Sequence, residues 1–212
     1  MRAGDDPRGV VVIDPFPLWT GDDVTAIVPS VDDPGRAMLR MEAIASIGAQ
    51  RIKPKAKLVS RDKPRWTGQA LAENRNRLIA LAETEWVAML DDDDLWYPNH
   101  LEVLLSGANQ HPAAQIVYSW GDDRGQSVRL HFDAELIRQR NIFTSTIMLR
   151  KDAWAAVGGY PEDGKMPYED WALNLAVLDK FGPDAFVCMP VVTFDYRWVP
   201  TVKSLTGAWR GR

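Results

Sequence analysis

The stretch Trp86–Asp94, WVAMLDDDD, most restricts what this chain can fold into, because an unbroken apolar run passes straight into four aspartates. A short apolar run of this kind reads as a strand buried on both faces. The aspartates then begin where that strand ends, and in open α/β sheets ligands bind outside the carboxyl ends of strands. Four packed carboxylates repel one another strongly unless a cation neutralises them. They offer oxygen ligands only, which favours a hard ion such as Mg2+ or Mn2+. Side chains alternate along extended chain, so Asp91 and Asp93 are expected to point together. The plainer alternative is a solvated charged face.

The flanking segments complete a sheet. VTAIVPS (24–30) is a buried-strand pattern, and 34–50 reads as a helix with Pro34 in its first turn and Met38, Met41, Ile44 and Ala45 as its apolar stripe. AKLVS (56–60) is a short strand. Residues 68–84 form a second helix with Leu71, Leu78, Leu81 and Ala82 inward, and Pro98 opens a third containing Leu101, Leu104 and Leu105. Strand and helix thus alternate through the first half, which predicts a largely parallel sheet covered on both faces. The second half is more mixed. QIVYSW (115–120) and TSTIMLR (144–150) are strand-like, GDDRGQ is a turn, and KDAWAAVGG is a short helix stopped by paired glycines. EDWALNLAVLDKFG (169–182) is a helix apolar nearly all round, expected to be buried on both sides. AFVCMPVVTFDYRW supplies one or two closing strands, and the run VVVIDPF near the start reads as an extra edge strand that Pro15 and Pro17 limit.

At 212 residues the chain is expected to be one compact domain, 24–212, behind an N-terminal extension, 1–23. Its formal net charge of −4 carries no overall basic footprint for nucleic acid. A local basic stretch of Arg51, Lys53, Lys55, Lys57, Arg61, Lys63 and Arg65 is either a solvated surface or a steering face for an anionic substrate. The single cysteine, Cys188, reads as a buried structural thiol, and the nine tryptophans read first as packing residues. His100, His111 and His131 show no ligand spacing. No apolar run approaches the roughly 18 residues that cross a bilayer. The first residues, MRAGDDPRG, lack a signal peptide's apolar centre, so a cytoplasmic location is expected.

WVAMLDDDDLWYPNHL resembles the signature of glycosyltransferase family 2, in which a strand delivers a DxD-type motif followed by an aromatic and a proline. VTAIVPS resembles the family's opening strand, and GQALAENRNRLIALAE the helix whose Arg-Asn pair, here Arg75 and Asn76, precedes that motif. FTSTIMLRKDAWAAVGGYPED resembles the segment leading to the acceptor side, YEDWALNLAVLDKFG the helix that begins with a Glu-Asp pair, and DYR (195–197) the closing strand. The resemblance spans roughly 24–200. It implies a GT-A fold, an α/β Rossmann-like mostly parallel mixed sheet flanked by helices, with a nucleotide-binding half (24–97) and an acceptor-binding half (98–212). Several places depart from the family. The second strand, which usually ends in Asp-Gly-Ser or similar, here reads VSRDKP, and the stretch from it to the next helix is unusually short. Val31-Asp32 stands where an aromatic-Asn pair is common, and Trp198 and Val199 occupy the region where some members carry a metal-holding histidine.

The same resemblance implies a metal-dependent, inverting transfer of a sugar from a nucleotide-sugar donor, with a UDP-sugar favoured, to an acceptor hydroxyl. The cofactor is a divalent cation, Mn2+ or Mg2+. Asp93 is implied as principal metal ligand, with Asp91 and Asp92 meeting the ribose or the metal's water shell and Asp91 a second metal candidate. Pro29, Ser30, Asp62 and Arg75 are the other nucleotide-sugar candidates, with Ser60 and Arg61 competing for the base-contacting place of Asp62. Asp170 is the candidate general base, and Glu169 and Trp171 lie on the acceptor side. Local chemistry leaves alternatives: Asp170 or Glu169 caps a helix, Asp94 caps one as well, and Arg75 is an exposed helix-face arginine. A helix N-terminus weakens a carboxylate as a base, so desolvation by Tyr168 and Trp171 would have to offset that for Asp170. Lys165 and Met166 lie in a loop that is a candidate acceptor lid. A sugar-nucleotide pyrophosphorylase, a metal-dependent nuclease or phosphatase, and an inactive sugar- or nucleotide-binding module are the competing classes. VPSVDDPGRA is a poor match to the Gly-rich phosphate loop that the first of these needs.

Overall fold

The apolar segments pair as the sequence pattern requires, and their order puts a crevice at the aspartates. The computed structural model describes residues 18–63, 65, 67–123, 130–163 and 168–197. The edge strand expected near the start, the second half of the GDDRGQ turn, the loop residues Lys165 and Met166, and Trp198 and Val199 lie outside these residues. In chain order the elements are β1 (Val24–Val28), α1 (Ala37–Gly48), β2 (Ala56–Val59), α2 (Gly68–Leu81), β3 (Trp86–Met89), β4 (Leu95–Trp96), α3 (His100–Gln110), β5 (Ile116–Asp122), α4 (Ala134–Gln139), β6 (Ile147–Arg150), α5 (Lys151–Ala156), α6 (Glu169–Phe181) and β7 (Phe186–Asp195).

Among the described residues seven strands form one sheet in the order β2-β1-β3-β6-β5-β7-β4. The first half is parallel, with β1 pairing both β2 and β3. Beyond β3 the sheet is mixed: β6 runs antiparallel to β3 and β5, β5 parallel to β7, and β4 antiparallel to β7. The chain leaves β1 for β2 and then crosses back over β1 to reach β3. That reversal opens a crevice at the carboxyl ends of β1 and β3. Among the described residues no helix is long and apolar enough to cross a membrane.

Alternation sorts the strand side chains onto two cores. Val24, Ala26 and Val28 with Trp86, Ala88 and Leu90 meet Ala43 and Ile47 of α1 and Leu101 and Leu104 of α3. Ile27, Val87 and Met89 face Leu78 and Ile79 of α2 and Leu173 and Val177 of α6 on the other side. Strands β1 and β3 are therefore covered on both faces, which explains their unbroken apolar sequence, whereas the edge strand β2 keeps Lys57 exposed.

Three helix faces differ from expectation. In α1, Met38 and Met41 are each 65% exposed, while Arg40, Ala43 and Ile47 are buried. Arg40 turns inward because its guanidinium donates to Ser30 Oγ at 3.1 Å and to the Val31 carbonyl at 2.9 Å. Two polar anchors on the i, i+4 spacing, Arg36 and Arg40, thus set the rotation of this helix against its methionine stripe. In α2, Leu81 is 61% exposed, whereas Asn74 and Arg75 are buried. Helix α6 buries one stripe, Glu169, Leu173, Asn174, Val177 and Leu178, instead of both sides, and its end at Asp179–Phe181 is exposed. Cys188 is half-buried, with Sγ 3.5 Å from the Leu130 carbonyl. Helix α4, capped by Asp133 on the N–H groups of Glu135 and Leu136, was not foreseen in the sequence pattern.

Candidate active site

The aspartate run is a turn and not a continuation of β3. The strand ends at Met89, and the Asp94 N–H donates to the Asp91 carbonyl at 3.1 Å. The alternation expected of Asp91 and Asp93 is therefore absent, and the four side chains reach different partners. Asp91 takes Arg75 Nη2 at 2.7 Å and the Ser145 hydroxyl at 2.6 Å. Asp92 is buried, accepts the Ser30 hydroxyl, and is gripped by Arg36, whose Nε lies 3.0 Å from both carboxylate oxygens. Asp93 Oδ2 sits 3.0 Å from Arg36 Nη2. Asp94 is buried and accepts the Arg197 N–H at 2.9 Å, while Arg197 Nε reaches the Asp93 carbonyl.

Charge repulsion within the turn is thus met by two buried guanidinium groups of the chain itself. Burial penalises the charge of Arg75, but Asp91 and Glu169 outweigh it and hold the pKa above its ordinary value. Burial pushes the Asp91 carboxyl up, and Arg75 and Ser145 more than reverse this, so it lies below the usual range. Burial, then Asp93 and Asp91, drive Asp94 well above that range. Asp93 is also raised, by burial first and then by Asp91 and Asp92 against the pull of Arg36.

Arg75, a nucleotide-sugar candidate in the sequence, is buried between two carboxylates of the chain itself. Its Nη1 binds Glu169 while its Nη2 binds Asp91, so one buried side chain of α2 ties the aspartate turn to the first residue of α6. Nor is it the exposed helix-face arginine of the alternative reading. Asn76, its neighbour, points elsewhere: it accepts from the Tyr160 N–H at 2.8 Å and from Trp154 Nε1 at 2.9 Å, and donates to the Tyr160 carbonyl at 2.8 Å. The Arg-Asn pair thus divides its work between the aspartates and the turn after α5. In that turn Gly159 has φ +80, and a Cβ there would lie 2.8 Å from Asn76 Oδ1.

Asp170, second residue of α6, is no N-cap. That place belongs to Tyr168, which makes no side-chain cap. Asp170 Oδ1 accepts the Trp171 N–H at 2.7 Å and Oδ2 accepts Asn141 Nδ2 at 3.1 Å. Burial raises its pKa, and Arg75 and these donors lower it less, so the net shift is upward. The weakening expected from a helix N-terminus is thus outweighed by desolvation. Glu169 is raised too, chiefly by burial. Trp171 gives its indole N–H to the Ile137 carbonyl at 2.6 Å, which fastens α4 to α6.

A cleft enclosing about 410 Å3, part of it open to solvent, lies at the crevice and is lined by Pro29, Ser30, Arg36, Asp62, Asn74 and Asp92. Of the three residues competing at the end of β2, Asp62 lines the cleft, where its carboxylate pairs with Arg77 at 2.7 and 2.8 Å. Ser60 is buried, exchanging hydrogen bonds with the Ser30 backbone at 2.8 and 3.1 Å, and Arg61 is exposed and paired with Asp32. Lys63 and Arg65 from the basic stretch reach the cleft wall, whereas Arg51 pairs with Glu102. His100 packs on Trp96 with ring centroids 4.5 Å apart, and His111 and His131 are exposed, so none belongs to the site.

Residues 49–159, just over half of the chain, match the sequence profile of glycosyl transferase family 2. The chain belongs to that family. No curated protein matches it. S. aureus TarS in complex with UDP-GlcNAc is similar with a TM-score of 0.63 at 12% identity, over 88% of this chain and 61% of that one. Glucosyl-3-phosphoglycerate synthase from Mycobacterium tuberculosis, in complex with Mn2+, UDP-Glc and phosphoglyceric acid, gives 0.60 at 14%, over 85% and 74%. A mannosyltransferase from Pyrobaculum calidifontis in complex with GDP-Man and Mn2+ gives 0.62 at 16%, over 90% and 61%. These likenesses show the GT-A fold expected from the sequence. This chain spans about three fifths of the TarS chain.

Sequence reasoning missed Arg36, Ser145 and Asn141, all of which hold aspartates of the site. Only Arg36 left a signal, a basic residue at the start of a helix that begins beside the first strand's end.

Proposed function

We propose that this family 2 chain transfers a sugar, with inversion, from a nucleotide-sugar donor to an acceptor hydroxyl, using a divalent cation and a UDP-sugar in preference to others. The observation that carries the reading is the Arg75 bridge, Nη2 to Asp91 at 2.7 Å and Nη1 to Glu169, which draws the aspartate turn and the start of α6 into one site. Without it the donor-binding turn and the candidate base would be two unrelated features.

Pro29, Ser30 and Asp62 would hold the nucleoside in the cleft, with Asp62 as acceptor for a base N–H. Arg75 and Ser145 fix Asp91 as an ionised carboxylate for the ribose. Asp170, half-buried with its basicity raised by desolvation, would take the acceptor's hydroxyl proton as that oxygen attacks the anomeric carbon opposite the leaving diphosphate. Asn141 and the Trp171 N–H keep its carboxylate oriented.

The residues present fit a divalent cation held jointly with a diphosphate. Among the described residues no three His, Cys, Asp or Glu side chains form a metal cage, yet Asp93 presents a partly exposed carboxylate of the oxygen chemistry that Mn2+ and Mg2+ take. Magnesium in particular commonly binds through one or two carboxylates plus substrate phosphates. Asp93 would hold the ion, which when bound stabilises the leaving diphosphate as a Lewis acid, while both oxygens of Asp91, the second metal candidate of the sequence, are taken by Arg75 and Ser145. The ligands of the structural neighbours support this reading: UDP-GlcNAc in one, and Mn2+ with UDP-Glc or GDP-Man in others.

Titration calorimetry of UDP and GDP with and without Mn2+ tests donor binding, and a panel of sugar nucleotides assayed for hydrolysis tests turnover. Mn2+-dependent binding with UDP ahead of GDP is expected, and no metal-dependent binding of either would sink the reading. Asp170→Asn should keep UDP binding and lose turnover by about 10²-fold or more. Unchanged turnover would remove Asp170 as the base. Binding without turnover of any sugar nucleotide in the unaltered chain would leave a binding module.

A further inference from the structure

Arg36 stands where the cleft meets the aspartate turn, and its contacts with the two middle aspartates are unequal. It is 7% exposed, placed in a 3-10 turn just ahead of α1 by Asp33, whose carboxylate accepts the Gly35 N–H at 2.7 Å. Asp92 is fully committed, with Arg36 Nε at 3.0 Å from both of its oxygens, Nη2 also bound, and the Ser30 hydroxyl added. Asp93 meets the same guanidinium through one oxygen at 3.0 Å, and its side chain stays 22% exposed. Arg36 also lines the cleft beside Ser30, Asp62 and Asn74.

We propose that Arg36 is the resident counter-cation of Asp93, anchored on Asp92 and handed to the donor's diphosphate when a divalent cation takes Asp93. The hand-over rests on the nucleotide-binding function proposed above. A metal ion approaching Asp93 alone meets a fixed positive charge within bonding distance of the same carboxylate, and like charges at that range repel strongly in a partly buried site. A diphosphate removes the conflict. Its oxygens match the guanidinium fork as well as a carboxylate does, so the Nη2 hydrogen on Asp93 can pass to phosphate while Nε and the other Nη2 hydrogen keep Asp92. Metal and nucleotide then bind as a coupled pair, each raising the other's affinity by the same factor. The two middle aspartates acquire different duties: Asp92 holds the arginine and Asp93 exchanges partners.

The test is Mn2+ binding to the whole protein without nucleotide, read by electron paramagnetic resonance of free Mn2+, for the unaltered chain, Arg36→Gln, Arg36→Lys and the double variant Arg36→Gln/Asp93→Asn. Arg36→Gln should bind Mn2+ at least about tenfold more tightly than the unaltered chain, because the competing charge is gone. The double variant should lose that gain, which assigns it to Asp93. Arg36→Lys keeps a charge but cannot span both aspartates, so it should fall between and decides the matter if the glutamine variant does not fold. Equal or weaker Mn2+ binding in a folded Arg36 variant overturns the proposal. UDP should raise Mn2+ affinity less in Arg36→Gln than in the unaltered chain. If UDP has no effect even on the unaltered chain, the nucleotide-dependent function fails and the hand-over with it, whereas the comparison without nucleotide still decides the counter-cation.

Discussion

At the residue scale the site is governed by how buried charges are paired. Arg75 is enclosed and serves two carboxylates from separate parts of the chain, Asp91 and Glu169, with its guanidinium also 5.5 Å over the Tyr160 ring. Removing one member of a buried ionic group leaves the others desolvated and uncompensated, which typically costs about 3–5 kcal/mol. Arg75→Met should therefore lower unfolding free energy by about that amount in urea denaturation. Neutralising both partners as well, in Arg75→Met/Asp91→Asn/Glu169→Gln, should recover much of the loss. Equal destabilisation in the single and triple variants would mean that packing, and not charge, is what Arg75 supplies.

At the scale of elements, α2 is the piece that joins the halves. Thr67 caps it by accepting the Ala70 N–H at 3.1 Å, and its buried face carries Arg75 toward the aspartates. Asn76 beside it fixes the Gly158–Tyr160 turn through the Tyr160 N–H and the Trp154 indole. A buried donor left without its partner costs about 1–3 kcal/mol. Asn76→Ala orphans two, so it should destabilise by at least about 1–3 kcal/mol in the same denaturation measurement. A neutral result would show that water replaces the amide there. Strands β1 and β3 were legible in the sequence because burial on both faces demands continuous apolar runs. The helix faces were not: Met38 and Leu81 follow helical spacing, yet polar contacts of Arg36, Arg40 and Asn74 set which side turns inward.

For the whole molecule, pH acts through a residue remote from the proposed chemistry. His100 is fully buried between Trp96 and Phe194, with Nδ1 2.6 Å from Thr193 Oγ1. Burial lowers its pKa from 6.5 to about 3. Between those values the unfolded chain binds a proton that the folded chain refuses, so the stability tied to this residue is present above pH 6.5 and falls as pH drops toward 3. From pH 7 to pH 5 the loss is about 2 kcal/mol. His100→Leu should flatten the stability–pH slope by about that amount, and an unchanged slope would contradict the buried neutral state.

What the sequence determined by itself is the local and the ordered: the buried strands, the aspartates at a strand's end, the Glu-Asp pair at a helix start, and the family those motifs spell in series. Apolar continuity and motif order are properties of neighbouring residues, so they can be read along the chain. Tertiary structure alone decided which partners each aspartate takes. Bending the run into a turn removed the pairing of Asp91 with Asp93. Partners came from far away in the chain: Arg36 and Ser30 for Asp92, Arg36 for Asp93, Arg75 and Ser145 for Asp91, and Arg197 for Asp94. A carboxylate's charge state and availability depend on what desolvates and counters it, and those groups meet only when the sheet has closed around the cleft.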